Sequence, residues 1–280
     1  MTDVLALKQV SGAGSRPRVV HVSFGTKNFG QSLARLRRSA RRFGLHDIRI
    51  YGVDHPAIRR AFDENPQIKE VRRGAGNWIW KPYILLDTLD SVAEGTVIIY
   101  TDAGMRYVGD PTPLFDLAQR NEIVLFHQRS GNLQGSWTKR DCFVLMQADL
   151  PEYWEAVQLD ASIQIYRAGA KAKQFLSELR EAMRDPRILC DGPNICGLPN
   201  LEGFRDHRHD QSVATILAIK HGIETFPAPK IILLRDPVSG ARRAGSPPQN
   251  TRAIFEHHRR KNEPLTIFWL RLVGDYLGLA

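Results

Sequence analysis

The sequence predicts an α/β protein whose central sheet is mainly parallel, and three observations carry that expectation. A strand, an amphipathic helix and a second strand succeed one another between Arg18 and Tyr51, the opening of a β-α-β unit. Thr96–Tyr100 (TVIIY) is an almost continuously apolar run, the pattern of a strand covered on both faces. Further stretches of helical periodicity alternate with short apolar runs toward the carboxyl end.

Taken in order, Arg18–Phe24 (RVVHVSF) is apolar and β-branched and reads as the first strand, with Gly25–Gly30 as the loop after it. Ser32–Phe43 places Leu33, Leu36, Ala40 and Phe43 at helical spacing and turns its arginines the other way. Gly44 stops that helix, and Asp47–Tyr51 is the next strand. Trp80–Leu89 reads as a helix that ends before Gly95. The strand Thr96–Tyr100 then delivers polar Thr101–Gly104 at its carboxyl end, where open α/β sheets bind their ligands. Glu122–His127 is a further strand, and Ala170–Arg184 and Asp210–His221 are helices, the last with Asp210 near its start. Asp236–Asn250, rich in proline and glycine, is expected to be a mobile loop. The predicted organisation is a loose lead-in over 1–17, one α/β domain over 18–262, and an apolar helix over 263–280. That last segment (Pro264–Leu279) suits a core helix, an oligomer contact or an interfacial membrane helix.

Composition sets the outer bounds. With 280 residues, 42% of them hydrophobic, the chain can bury a core without disulfides. Its three cysteines lack the spacing of a zinc ribbon and read as thiols of a reducing compartment. The amino terminus has no basic start followed by an apolar core, and no apolar run approaches a spanning helix. A cytoplasmic location is therefore expected, with room for peripheral attachment to the inner face of a membrane. The formal charge of +9 gathers at Arg35–Arg42, Arg72–Arg73 and His257–Lys261. On charge alone it suits anionic lipid, a nucleotide diphosphate or nucleic acid, and equally a plain solvated basic face; no nucleic-acid-binding signature accompanies it, so nucleic acid ranks last as a partner.

Several constellations could carry chemistry. Asp102, just beyond the buried strand, offers a hard carboxylate suited to a divalent cation or a ribose hydroxyl, or simply to starting a turn. Gly74–Pro82 (GAGNWIWKP) sets two flat aromatic faces beside Lys81, whose point charge suits a phosphate. The same tryptophans could equally be core. His207–Ser212 (HRHDQS) gathers Arg208, two imidazoles, Asp210 and Gln211 at a loop-to-helix junction, where anions are favoured. Trp137–Asp141 (WTKRD) places Lys139 and Arg140 beside an aromatic and an acid. His257-His258-Arg259-Arg260 could ligate metal through an imidazole or hold phosphate through an arginine.

In their order and spacing, VSFGTKNFGQSLARLRRSARRFG, GNWIWKPYIL, VIIYTDAG, WTKRD and HRHDQS resemble bacterial glycosyltransferase-like proteins of the nucleotide-diphospho-sugar transferase superfamily. The resemblance spans roughly residues 18–260 and implies a GT-A-like α/β/α sandwich. It implies transfer of a sugar from a nucleoside-diphosphate sugar to a hydroxyl on a glycan or lipid-linked acceptor, in surface polysaccharide or glycolipid synthesis. Asp102 matches the first acid of that superfamily's Asp-x-Asp motif, which holds Mn2+ or Mg2+ on the diphosphate; Gly104 stands in place of the second. His257 or His258 would then complete the metal site. Asp210-Gln211 is similar to a pair found in retaining members, which would set Asp210 on the donor sugar hydroxyls and Gln211 beneath the anomeric carbon. Trp80, Lys81, Lys139, Arg140 and Arg208 are the corresponding donor-site candidates. Two other readings stay open: a sugar- or nucleotide-binding module without catalysis, and a metal-dependent phosphohydrolase using Asp102 and the HRHD cluster.

Overall fold

Alternate side chains of a β-strand point to opposite faces, and here both faces are apolar. On the strand Val97–Thr101, Ile98 and Tyr100 enter one hydrophobic cluster while Val97 and Ile99 enter another. A sheet of this kind must be covered on both sides, and the computed structural model shows that it is. It describes residues 17–128, 131–235, 242–244, 253–258 and 266.

Along the chain, β1 (Val19–Phe24) leads into α1 (Gly30–Arg42) and then β2 (Asp47–Tyr51). Gly44, at φ 77°, closes α1 in the left-handed conformation that glycine adopts without strain, so the predicted stop is observed. Next come α2 (Pro56–Asp63), the single turns α3 (Pro66–Lys69) and α4 (Gly74–Asn77), and the buried helix α5 (Trp80–Asp90). β3 (Val97–Thr101) and β4 (Met105–Tyr107) flank the turn at Asp102–Gly104, followed by α6 (Thr112–Arg120) and β5 (Ile123–His127). The short helices α7 (Arg140–Leu145) and α8 (Pro151–Trp154) precede β6 (Leu159–Arg167) and α9 (Ala170–Met183). After α10 (Pro186–Leu189) an irregular stretch runs to α11 (Asp210–Lys220), then β7 (Thr225–Pro227), β8 (Lys230–Arg235), β9 (Arg242–Ala244) and β10 (Phe255–His257).

The central sheet has the order β2-β1-β3-β6-β5-β7. β1 pairs in parallel with β2 and β3, and β5 with β7, while β6 runs antiparallel between β3 and β5. One face carries Val20, Val22, Ile98 and Tyr166 against α2, α5, α9 and α11. The other carries Val97, Ile99, Ile163 and Ile165 against Leu33, Leu36 and Ala40 of α1 and Leu114, Phe115 and Ala118 of α6. This is the α/β/α sandwich with a mainly parallel sheet that the sequence predicts. A second sheet, β4-β10-β8-β9, lies beside the turn that follows β3. Among the described residues no helix is long and apolar enough to cross a membrane. The expectations for 1–16, for most of the 236–250 loop and for the apolar helix over 263–280 fall outside the described residues.

Candidate functional site

The site forms where three chain segments end. β3 stops at Thr101 and presents half-buried Asp102 at the carboxyl edge of the sheet; the Tyr100 hydroxyl donates to Asp102 Oδ1 at 2.7 Å. β6 begins opposite, and the Asp102 N–H donates to the Ser162 carbonyl at 3.0 Å. α11 starts at Asp210, whose carboxylate meets the Lys81 ammonium reaching up from α5. Together they border an open pocket of about 440 Å3, its solvent-filled mouth included.

Lys81 and Asp210 are only 2% and 5% exposed, so each offsets part of the other's cost of burial. Lys81 also donates to the Ala161 carbonyl at 3.0 Å and lies 5.0 Å from the Tyr100 ring. Burial raises the Asp210 carboxyl to about 6, opposed by Lys81 and reinforced by the nearby charge of Asp102. The lysine expected on a phosphate is therefore the counter-charge of the site's own acid. Gln211, next along the helix, donates through Nε2 to Gln158 Oε1 at 2.7 Å and accepts from the Ala161 N–H at 3.4 Å. Gln211 is thereby held to the start of β6, and it lines the pocket with Asp210 and Asp102.

The rim is aromatic and cationic. Trp78 lies in the left-handed region (φ 62°) and stacks on His209, ring centroids 5.9 Å apart. The glycine at 74 is required here: a Cβ would sit 2.3 Å from the Trp78 ring. Arg73 grips Asp206 through both guanidinium nitrogens at 3.1 and 2.7 Å, which holds the Asp206 carboxyl below its ordinary range. Arg208 lies over the Trp137 ring at 4.3 Å and faces the same pocket. His209 holds a strained backbone (φ 51°, ψ −121°) at the helix cap, fixed by its Nδ1 hydrogen bond to the Leu189 carbonyl at 2.8 Å. Burial lowers the titration of both His207 and His209, His207 to about 3, so His207 is neutral near pH 7.

Three donor-site candidates sit elsewhere. Trp80 is core: it packs on Phe24 at 4.0 Å and its Nε1 donates to the Gly74 carbonyl. Lys139 is buried against Asp141, whose carboxylate also accepts the Ile195 and Cys196 N–H groups. Burial alone would raise the Asp141 carboxyl; these donors outweigh it and hold it low. Arg140 pairs with Asp149 and lies over Trp154. The WTKRD segment therefore anchors the irregular stretch between α10 and α11 rather than lining the pocket.

For a cation the donor set is spare. Among the described residues no three His, Cys, Asp or Glu side chains converge. Asp102 keeps one carboxylate oxygen clear of Tyr100, and Gly104 adds no side chain. β10 does bring the late histidines alongside: His257 pairs with Met105, and the His258 N–H donates to the Gly104 carbonyl at 2.9 Å. One carboxylate with waters and substrate phosphates is a known way to hold Mg2+, so Asp102 fits a cation that a diphosphate would share.

Arg73, Ala161 and Ser162 also line the pocket and are not among the residues picked from sequence. Arg73 belongs to the basic pair Arg72–Arg73, and nothing local in the sequence marks its reach to Asp206. Behind Ser162, Lys230 pairs with buried Asp160 and donates to the Ser162 hydroxyl at 2.9 Å.

No protein-family profile matches the chain, and no curated protein matches it in sequence. Solved structures of similar shape include the apo form of mouse xyloside xylosyltransferase 1, at 13% identity and TM-score 0.46, covering 86% of this chain and 98% of that one. The galactosyltransferase LgtC with donor and acceptor sugar analogues is similar at 13% identity and TM-score 0.45, covering 86% and 87%. The bifunctional glycosyltransferase WbbM is similar at 11% identity and TM-score 0.46, covering 80% of this chain and 41% of that one. At TM-scores below 0.5 these likenesses assign no activity to this chain.

Proposed function

We propose that the chain is a glycosyltransferase that moves a sugar from a nucleoside diphosphate to a hydroxyl acceptor. The observation that carries the proposal is the convergence of Asp102 with Asp210 and Gln211 in one pocket rimmed by Arg73, Arg208 and Trp78. It agrees with the ordered motifs that resemble nucleotide-diphospho-sugar transferases.

In this reading Asp210, oriented by Lys81, accepts hydrogen bonds from donor-sugar hydroxyls, and Gln211 lies under the anomeric carbon. Trp78 offers its face to a sugar or base. Arg208 and Arg73 stabilise charge growing on the departing diphosphate, a contribution of several kcal/mol where water is excluded. Mg2+ or Mn2+ at Asp102 would supply further charge stabilisation. The acceptor oxygen forms a bond to the anomeric carbon as the bond from that carbon to the phosphate oxygen breaks. The Asp210-Gln211 pair, similar to that of retaining members of the superfamily, favours retention, with the leaving phosphate taking the acceptor proton. The acceptor is proposed to be a glycan or lipid-linked hydroxyl of a surface polysaccharide or glycolipid, met in the cytoplasm.

A thermal-shift panel of UDP, GDP, CMP and ADP with and without Mn2+ tests this. Occupancy at 100 times Kd adds about 2.7 kcal/mol to the native state, so one nucleotide should raise the melting temperature clearly above the rest. A shift that requires Mn2+ and disappears in Asp102→Ala would place the metal there. No shift with any nucleotide would sink the proposal. Gly104 in place of a second acid favours one rival, a binding module without turnover. Nucleotide binding with no sugar release or transfer would support that rival.

A further inference from the structure

Gln211 is held by a partner that the proposed chemistry leaves unused. Gln158 immediately precedes β6 and is wholly buried. A carboxamide has a donor end and an acceptor end of nearly the same shape, so the groups around it decide which way it points. Here both outer ends meet groups of fixed polarity. Gln158 Nε2 donates to the Trp137 carbonyl at 3.3 Å, and a carbonyl can only accept. It also donates to Ser212 Oγ at 3.4 Å, whose own proton goes to the same carbonyl at 2.9 Å. Gln158 Oε1 therefore faces Gln211 and accepts from its Nε2 at 2.7 Å. That leaves Gln211 Oε1 for the Ala161 N–H, at 3.4 Å, a group that can only donate. The two amides form a relay whose direction is set from both ends. A β-bulge frees the Ala161 N–H for it: as β5 advances from Leu125 to His127, its partner on β6 moves from Gln164 to Leu159. Ala161 and Ser162 thus leave the ladder with β5 where they border the pocket.

We infer that Gln158 is a positioning residue that turns the carbonyl oxygen of Gln211, and not its amide nitrogen, toward the pocket. Gln211 and Ala161 line the pocket and Gln158 does not. The nitrogen end of Gln211 therefore points into the protein, and its oxygen end lies at the wall beside Ala161. The consequence rests on the glycosyltransferase reading. Positive charge grows on the anomeric carbon as its bond to the diphosphate breaks, and a carbonyl oxygen beneath it stabilises that charge, whereas an N–H would oppose it. Gln158 touches no substrate and acts only through Gln211.

Two substitutions in the full chain separate this role from general support of the fold. Gln158→Met keeps the length of the side chain and removes the acceptor, while Gln158→Glu keeps an acceptor facing Gln211. In nitrogen-15 NMR the Gln211 carboxamide protons should be protected from exchange in the native chain and in Gln158→Glu. In Gln158→Met they should exchange about tenfold faster, the loss of one hydrogen bond. Turnover is followed as nucleotide release from UDP-glucose, UDP-galactose and GDP-mannose. With the sugar that is used, kcat should fall about tenfold in Gln158→Met and recover in Gln158→Glu, while KM stays within about twofold. Equal protection of the Gln211 amide in Gln158→Met would overturn the inference, and so would an unchanged kcat once that protection is lost. An equal fall of kcat in both variants would also overturn it, in favour of general support of the fold. If the native chain turns over none of these sugars, the glycosyltransferase reading fails, while amide exchange still decides whether Gln158 orients Gln211.

Discussion

Lys81 and Asp210 show how one ion pair sets both stability and chemistry. Removing the cation leaves a buried carboxylate without a counter-charge, so Lys81→Ala should cost about 3–5 kcal/mol in urea unfolding at neutral pH. The pH dependence has a definite sign. The Asp210 carboxyl titrates at about 6 in the folded chain against 3.8 unfolded, so between these values the native state holds a proton the unfolded state has lost. Its contribution to stability therefore falls as pH rises from about 4 through about 6 and levels off above. Lys81→Met should push that window upward, past neutrality. Unfolding free energies measured from pH 4 to 8 would show it; parallel profiles in the two proteins would mean that Lys81 does not govern Asp210. If Asp210 must be ionised to hold the donor sugar, donor binding should weaken as pH falls below about 6.

At the scale of elements, two tryptophans two positions apart have separate roles because a backbone twist comes between α4 and α5. Trp80 enters the core, so Trp80→Ala should cost about 3–5 kcal/mol. Trp78, half-buried at the rim, should cost less stability on truncation and lose nucleotide-induced thermal stabilisation instead. Equal effects on stability and binding in both variants would contradict this separation. The stretch between α10 and α11 is ordered by Asp141, which captures two backbone N–H groups. Asp141→Asn should speed hydrogen exchange at Ile195 and Cys196 about tenfold or more, since hydrogen bonds to a charged acceptor contribute about 1.5–3 kcal/mol. Long irregular loops held this firmly tend to be functional, and this one carries Asp206 to the pocket rim.

At the scale of the molecule, the sheet is covered on both faces and β3 lies inside it, paired with β1 and β6. The amides of Ile98, Ile99 and Tyr100 should therefore exchange only through global unfolding. Exchange there at the rate of the α8 amides would show that the two layers open separately. The layered burial also explains which elements are legible in the sequence. The helix predicted over Trp80–Leu89 is observed as α5, Ala170–Arg184 as α9, and Asp210–His221 as α11, each within a residue or two. β6 is one of the elements missing from the sequence reading, and its periodicity conceals it. Asp160, Ser162 and Gln164 interrupt its apolar residues, and their polar groups are satisfied inside the fold: Gln164 by Tyr166 and the Ala161 carbonyl, Asp160 by Ser162 and Lys230.

By itself the sequence determined the α/β alternation, the buried strand before Asp102 and the helix that starts at Asp210, because these depend on neighbouring residues and on local periodicity. Only the tertiary structure decided which groups meet. Arg73 reaches Asp206 and Lys81 reaches Asp210 across more than a hundred residues of chain, through a topology that places β6 between β3 and β5. The same packing moved Trp80, Lys139 and Arg140 out of the candidate donor site. A local pattern records what a side chain is, while its partner depends on which strands lie side by side. That order is set by the burial of the whole sheet.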